Sequence, residues 1–336
     1  MDFKKMAIII PVYNVEDYVL DCLHSLKNQS SKNFIAIIVN DGSKDSSGRV
    51  AHNFSRKYSN FIFIDQENKG LSGARNAGLD YLESKKVDVE YVYFLDSDDY
   101  IDSKFVKDLT LFLDKSDADI LCFGFDRFDR KGTYVDSLSN HQNKILDRDA
   151  FREFYLEPMG KSRVVAKFLG NKVFRWCAIR GVRFSLEMKG CEDQEFMLRV
   201  IEREKFNGAL VVNDLMYHYR LRRSSLTRTV NPFKKLFFLY GNLAETVDNL
   251  NAQSLYLNEA FNCFWDALRC DCSSKKNNYE YYKECISQLF ANSRSELLSR
   301  RNRKRLAIFN LGKAVVILYF KLRKNIKVAK QESLFP

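Results

Sequence analysis

Residues 91–99 constrain this chain more than any others. Tyr91-Val92-Tyr93-Phe94-Leu95 is an unbroken apolar run and reads as a buried strand. It ends abruptly in Asp96-Ser97-Asp98-Asp99. A bare carboxylate cluster at a strand end carries like-charge repulsion. A divalent cation relieves that repulsion, and hard oxygen ligands suit Mg²⁺ or Mn²⁺. In open α/β sheets, ligands bind just beyond the carboxyl ends of the strands. A metal, a phosphate-bearing ligand and a place for both are therefore expected. The bland alternative is that the acids cap a helix beginning near Asp102.

The segments around this run alternate in period. Met6–Pro11, Phe34–Val39, Phe61–Asp65 and Glu90–Leu95 read as strands. Asp17–Gln29, a segment from Ser46 or Ser47 (either a candidate cap) to about Tyr58, and Ala74–Ser84 read as helices, with a Gly-containing loop at Asn68–Gly73. Such alternation predicts a parallel sheet with helices on both faces. Further on, Asp102–Lys115 reads as a helix, Asp119–Asp126 as a strand, Asp147–Glu157 and Glu192–Glu204 as helices. Asn171–Arg180 and Ala209–Tyr219 read as strand-bearing segments. Residues 127–146 are polar and receive no assignment. From about Pro232 the pattern is wholly helical, so a domain boundary is placed near residue 230.

The 336 residues, 46% of them hydrophobic, suffice for one large domain plus an appendage. The eight cysteines form no Cys-x-x-Cys pair, so a zinc site is not expected. Reduced cysteines and an N-terminus leading straight into a strand point to the cytoplasm. The formal net charge is +11, and its location matters. Residues 294–330 carry 12 Lys/Arg against one acid, Glu296, while the residues before 294 carry 42 Lys/Arg and 41 Asp/Glu. A nearly neutral body thus bears a strongly basic tail. Nucleic-acid binding through that tail would leave the carboxylate clusters unexplained, so no nucleic-acid partner is expected.

Five further motifs could carry chemistry. Pro11-Val12-Tyr13-Asn14 ends the first strand, where an aromatic ring could stack on a nucleobase or merely end a strand. Asp41, in Asn40-Asp41-Gly42-Ser43, could bind a base edge or a ribose hydroxyl, or serve as a turn residue. Asn68-Lys69-Gly70-Leu71-Ser72-Gly73-Ala74-Arg75 joins a loop to a helix start, whose amides favour phosphate oxygens, and Arg75 offers a forked cation. Cys191-Glu192-Asp193-Gln194-Glu195-Phe196 opens a helix whose acids suit either the helix dipole or general-base work. Finally, Tyr217-His218-Tyr219-Arg220-Leu221-Arg222-Arg223 could bring a His to the metal and cations to phosphates, or be a strand entering a solvated basic loop.

Taken in this order over residues 6–228, these motifs resemble the family 2 glycosyltransferases, inverting enzymes with a GT-A fold. The resemblance implies a Rossmann-like, mixed, mostly parallel sheet with flanking helices in residues 1–230, followed by a helical C-terminal region, 231–336. It implies a nucleotide-sugar donor, most often a UDP-sugar, held by Pro11, Val12, Tyr13, Asp41, Asn68, Arg75, Asp96 and Ser97. Asp98 would be the main metal ligand, with Asp96 and, in the late loop, His218. Asp193 stands where the family has its catalytic base. The Gln-x-x-Arg-Trp signature and membrane spans of processive synthases are absent, which argues against a polymerase of that type. The expected acceptor is a hydroxyl of a glycan or lipid-linked glycan in capsule, lipooligosaccharide or other surface-polysaccharide synthesis. A catalytically silent binding module and a metal-dependent nucleotidyltransferase are the alternatives. The second would place a Gly-rich loop with a Lys where this chain has Pro11-Val12-Tyr13-Asn14.

Arg300-Arg301-Asn302-Arg303-Lys304-Arg305 precedes the apolar stretch Leu306–Phe320, which is too short to span a bilayer of ~30 Å. A basic, apolar-bearing helix of this kind can lie in an anionic membrane interface. Peripheral binding at the inner leaflet is the expectation, with docking on the protein body as the alternative. The helices before it could form a homodimer interface.

Overall fold

The computed structural model of the chain describes residues 4–129, 132–139, 143–156, 167–221, 233–273, 279–291, 295–311 and 316. Contacts divide it into two compact units, Met1–Val230 and Asn231–Pro336. The first opens with β1 (Lys4–Val12), α1 (Val19–Lys27), β2 (Phe34–Asp41), α2 (Ser47–Ser55), β3 (Phe61–Gln66), α3 (Gly70–Ser84) and β4 (Val89–Phe94). It continues with β5 (Tyr100–Ile101), α4 (Phe105–Leu113), β6 (Ile120–Phe128), β7 (Tyr134–Leu138), β8 (Lys144–Leu146), α5 (Arg148–Leu156), β9 (Lys172–Arg175), α6 (Trp176–Ile179), α7 (Glu192–Ile201) and β10 (Ala209–Arg220).

All ten strands join one sheet in the order β3-β2-β1-β4-β9-β6-β10-β5, with β7 on β6 and β8 on β10. β3, β2, β1 and β4 are parallel, and Ile9 of β1 faces both Ile37 and Phe94. β9 is antiparallel to both of its neighbours, so β6 and β10 regain the direction of β4. The expected α/β class, a mixed sheet with flanking helices, is what forms. Every residue of β2 is buried, as a strand covered on both faces must be. Side chains alternate along β1. Ile8, Ile10 and Val12 pack in one cluster with Cys22, Leu23 and Leu26 of α1. On the other face Ile9 meets Gly78 of α3, which is close enough that a Cβ there would lie 2.5 Å from Ile9 Cγ2.

Several local expectations are corrected. α3 begins at Gly70, not Ala74, because the chain just before it is tied to the end of β2. The Asn68 side chain donates to the Asp41 carbonyl (3.0 Å) and the Lys69 amide to Asp41 Oδ1 (2.8 Å). Ser46 sits at the N-cap of α2 without a side-chain capping bond, and the Ser47 hydroxyl instead accepts from the Val15 amide (2.8 Å). Asp96–Asp99 does not supply the N-cap of α4, which is Lys104. Asn171–Arg180 is half strand, half helix. The unassigned residues 127–146 contain β7 and β8, whose mixed, largely exposed sequence gives no period; pairing with β6 and β10 makes them strands.

The second unit packs α8 (Phe233–Thr246), α9 (Leu250–Ser273), α10 (Tyr279–Ala291) and α11 (Arg300–Asn310). Aromatic contacts join them, Phe237 to Phe264 (5.8 Å) and Phe264 to Phe309 (5.2 Å). Phe309 and, further on, Val316 are buried. Arg305 is buried too, donating to Asn262 Oδ1 (2.8 Å) and lying over the Trp265 ring. Only Arg300, Arg301, Arg303 and Lys304 of the basic run face outward. Apart from Val316, the apolar stretch beyond Leu311 lies outside the described residues. Among the described residues no helix is long and apolar enough to cross a membrane.

Candidate active site

The sheet brings the C-terminal ends of β1, β2 and β4 side by side, and the strand order reverses there, which is where α/β sheets bind ligands. Pro11 and Val12 are the last, buried residues of β1, and Tyr13 follows at 43% exposure. The backbone that presents this ring is fixed. Asn14, at φ +51°, donates its amide to Ser43 Oγ (3.3 Å) and accepts from the Lys44 amide (2.8 Å). The Glu16 amide donates to Asp45 Oδ2 (3.1 Å), and the Ser46 amide returns a bond to Glu16 Oε2 (3.0 Å). Two loops, 13–16 and 43–47, are thereby stitched together. Asp41 ends β2 with a buried side chain, and its Oδ1 accepts from Gln66 Nε2 (2.7 Å) as well as from Lys69. Asn68 is bonded to it, so Pro11, Val12, Tyr13, Asp41 and Asn68 share one end of the sheet.

Arg75, expected beside the base and diphosphate, has carboxylates for neighbours. It rises from α3 with 2% of its side chain exposed and bridges two carboxylates. One Nη donates to Asp193 Oδ1 (2.5 Å), the other to Asp96 Oδ1 (3.1 Å). Burial alone would lower its pKa, but Asp193 and Asp96 outweigh that and hold it above the usual arginine value. Asp193 lies in the first turn of α7, where acids are favoured. Burial pushes its carboxyl up to about 6, Arg75 opposes the rise, and Glu192 and Asp96 add to it. A carboxylate with a pKa near neutrality, 29% exposed, is suited to accept a proton from a ligand.

The three acids after β4 divide their work. Asp99 turns inward, accepting from the Tyr217 hydroxyl and from the Arg220 amide (2.7 Å). Burial, then Asp98 and Asp96, drive its carboxyl well above the usual range. It therefore anchors the turn to β10. Arg220 adds a bond from Nε to the Asp98 carbonyl (3.1 Å) and one from Nη2 to Asp21 (2.9 Å). Asp96 and Asp98 remain partly exposed, with Ser97 buried between them. The mutual repulsion felt at Asp99 is what a divalent cation relieves, so the hard carboxylates of Asp96 and Asp98 fit one. Among the described residues no group of three or more His, Cys, Asp or Glu is arranged to hold a metal. A cation here would thus need two protein carboxylates plus phosphate and water oxygens, the habit of Mg²⁺.

His218 has other neighbours than expected. Successive residues of a strand face opposite ways, and Tyr217 takes the face that reaches Asp99. His218 stacks on Tyr100 (4.6 Å), with Nε2 3.4 Å from Asp102 and Nδ1 3.7 Å from Asp126. Arg222 and Arg223 lie outside the described residues.

Sequence reasoning missed the support around Arg75. The Asn76 side chain exchanges two bonds with the Phe184 backbone (2.9 and 2.8 Å). The Phe184 ring lies under the Arg75 guanidinium (5.2 Å) and stacks flat on Phe196 of α7 (4.0 Å, 6°). No local pattern could announce contacts spanning more than a hundred residues. Only the adjacency of two polar residues, Arg75 and Asn76, in a helix facing the sheet offered a signal.

Comparison with known proteins agrees with this geometry. The model of the family described as "Glycosyl transferase family 2" matches residues 7–190. The chain belongs to that family. Glycosyltransferase GlyA of Streptococcus pneumoniae is 33% identical over 67% of this chain and 32% of its own length. EpsH of Bacillus subtilis is 31% identical over 70% of this chain and 66% of its own length. The matched region thus spans from about a third to just under two thirds of these relatives. The crystal structure of Staphylococcus aureus TarS 1–349 in complex with UDP-GlcNAc superposes with a TM-score of 0.70 at 20% identity, covering 97% of this chain and 92% of that one. That likeness shows a shared fold, the GT-A fold.

Proposed function

We propose that this chain is an inverting, metal-dependent glycosyltransferase. It moves a sugar from a nucleotide sugar, a UDP-hexose or UDP-N-acetylhexosamine, to a hydroxyl of a glycan or lipid-linked glycan in surface-polysaccharide synthesis. The observation that carries the reading is the Asp193–Arg75–Asp96 bridge, which sets a carboxylate of raised pKa one guanidinium away from the Asp-x-Asp turn. TarS, whose fold this chain shares, is a protein described with UDP-GlcNAc bound, which supports a UDP-linked donor.

In this reading Tyr13 stacks on the uracil, Pro11 and Val12 wall its edge, and Asp41 and Asn68 bind base and ribose polar groups. Asp96 and Ser97 border the ribose and diphosphate, and Asp98, with Asp96, would hold Mn²⁺ or Mg²⁺. The ion, when bound, supplies positive charge against the departing diphosphate. Asp193 takes the proton of the acceptor hydroxyl as that oxygen attacks the anomeric carbon from the side opposite the leaving group. One displacement inverts the configuration and needs no enzyme nucleophile. A base of this kind contributes ~10²–10⁴-fold, about 3–5 kcal/mol of barrier. The outward Arg300, Arg301, Arg303 and Lys304 support peripheral attachment to the anionic inner face of the cell membrane, where a lipid-linked acceptor resides.

The test is slow hydrolysis of a panel of nucleotide sugars with Mn²⁺, with Mg²⁺ and with EDTA, wild type beside Asp98→Asn. Metal-dependent release of nucleotide diphosphate from one donor, lost in the variant, is expected. Absence of turnover together with absence of UDP binding in Mn²⁺ refutes the assignment.

A further inference from the structure

Resting on the reading of Asp193 as the base, we infer that Arg75 is the positioning residue that locks the base to the donor site, and that it acts through Asp193 rather than on the donor itself. Three observations converge. First, both terminal nitrogens of Arg75 are committed to carboxylates, one on Asp193 and one on Asp96, so its charge is already matched inside the protein. Second, the guanidinium cannot swing to follow a ligand. It is buried, and its central carbon lies over the Phe184 ring at 5.2 Å. Third, Phe184 is itself fixed from both sides. Asn76, the residue after Arg75, holds its backbone with two bonds, and Phe196, three residues after Asp193, stacks on its ring. Phe94, the last residue of β4 and two before Asp96, meets the same ring edge-on (5.1 Å, 89°).

The result is a closed circuit. It runs from α3 through Arg75 to α7 and to the end of β4, and back through Phe184, Phe196 and Phe94. The planar fork of arginine suits this task, because two nitrogens can hold two carboxylates at a fixed spacing. A lysine is a single point charge on a flexible stem and cannot fix that spacing. Reaction between two bound partners is sensitive to such errors, and a misplacement of ~1 Å can cost 10²-fold.

The experiment is a double-mutant cycle on the donor-hydrolysis and transfer rates, using Arg75→Lys, Asp193→Asn and the pair, with UDP affinity in Mn²⁺ measured by calorimetry for each. Arg75→Lys is expected to lower kcat about 10²-fold while the Kd for UDP stays within about twofold. In the Asp193→Asn background the same change is expected to cost almost nothing further, because the residue it positions is already disabled. A loss of UDP affinity as large as the loss of kcat would make Arg75 a donor ligand and overturn the inference. So would a full, multiplicative loss in the Asp193→Asn background. Should Arg75→Lys fail to fold, Asn76→Ala loosens Phe184 without touching the ion pairs, and the same split between kcat and UDP affinity is expected at smaller size; an unchanged kcat in Asn76→Ala refutes the circuit. A wild type that neither turns over a donor nor binds UDP would instead refute the functional assignment itself.

Discussion

Asp193→Asn is the substitution whose consequences follow most directly from the geometry. The amide keeps an oxygen where Arg75 donates and nearly the same volume, so the packing of α7 should persist. What it loses is the negative charge. A charge-assisted hydrogen bond is worth ~1.5–3 kcal/mol and a neutral one ~1 kcal/mol. Burial, which raises the Asp193 carboxyl to about 6, disfavours that charge in the fold, so losing it offsets the weaker bond and the Tm should stay within about 2–4 °C of wild type. Activity should fall much further. An amide cannot accept the acceptor's proton, and removal of a general base costs ~10²–10⁴-fold, about 3–5 kcal/mol. The pH profile sharpens the test. The wild-type carboxyl, at about 6, must be ionised to act, so kcat/KM should rise as pH rises through about 6 and level off above it. In Asp193→Asn that limb should vanish. The assay is nucleotide diphosphate release across the pH range with acceptor present, beside a thermal melt. Survival of most of the turnover, or of the same acid limb in the variant, would refute the assignment of the base.

Tyr13→Ala removes the exposed ring beyond β1; stacking on a base is worth ~1–3 kcal/mol, so the Kd for UDP should rise about 5–150-fold with kcat at saturating donor unchanged. An unaltered Kd would remove Tyr13 from the base site. Lys172 is fully buried, and burial brings its ammonium down to about 8 although Asn171 Oδ1 accepts from it (2.9 Å). The unfolded chain keeps that proton to about 10.5, so between about pH 8 and about 10.5 unfolding takes up a proton and stability climbs with pH, by up to about 3 kcal/mol. Urea melts of Lys172→Met should lack that rise relative to wild type, and parallel curves would contradict it. Gly78→Ala places a Cβ 2.5 Å from Ile9 Cγ2 in the buried seam of α3 on β1. Overpacking of ~1–3 kcal/mol exceeds the ~1 kcal/mol gained in helix propensity, so a lowered Tm is expected, and a raised one would show that the seam yields.

Much of the fold was legible because period and burial coincide in it. The apolar runs at Met6–Pro11, Phe34–Val39 and Glu90–Leu95 became β1, β2 and β4, since strands covered on both faces must be apolar throughout. Elements whose order is imposed from outside were not legible. Tyr134–Leu138 and Lys144–Leu146 are strands only because β6 and β10 offer them partners. Tyr100–Ile101 pairs with Tyr217 and His218 across more than a hundred residues. In the site, residue types were readable and their partners were not. Asp96, Asp98 and Asp99 look alike in the sequence, yet Asp99 is buried and claimed by Tyr217 and Arg220 while the other two stay partly exposed.

By itself the sequence determined the alternation of strands and helices, the family, and the set of acids, aromatics and cations from which the site is made. Those properties live in short stretches, where period, charge and turn residues act on near neighbours. Only the tertiary structure decided which charges meet. It gave Arg75 to Asp193 and Asp96 rather than to an open phosphate site, turned His218 toward Tyr100, Asp102 and Asp126, and laid the buried face of α11 against its own unit. The reason is physical. A charge is stabilised by whatever opposite charge or polar group lies within a few ångströms in a low-dielectric interior, and chain folding, not sequence distance, sets that neighbour.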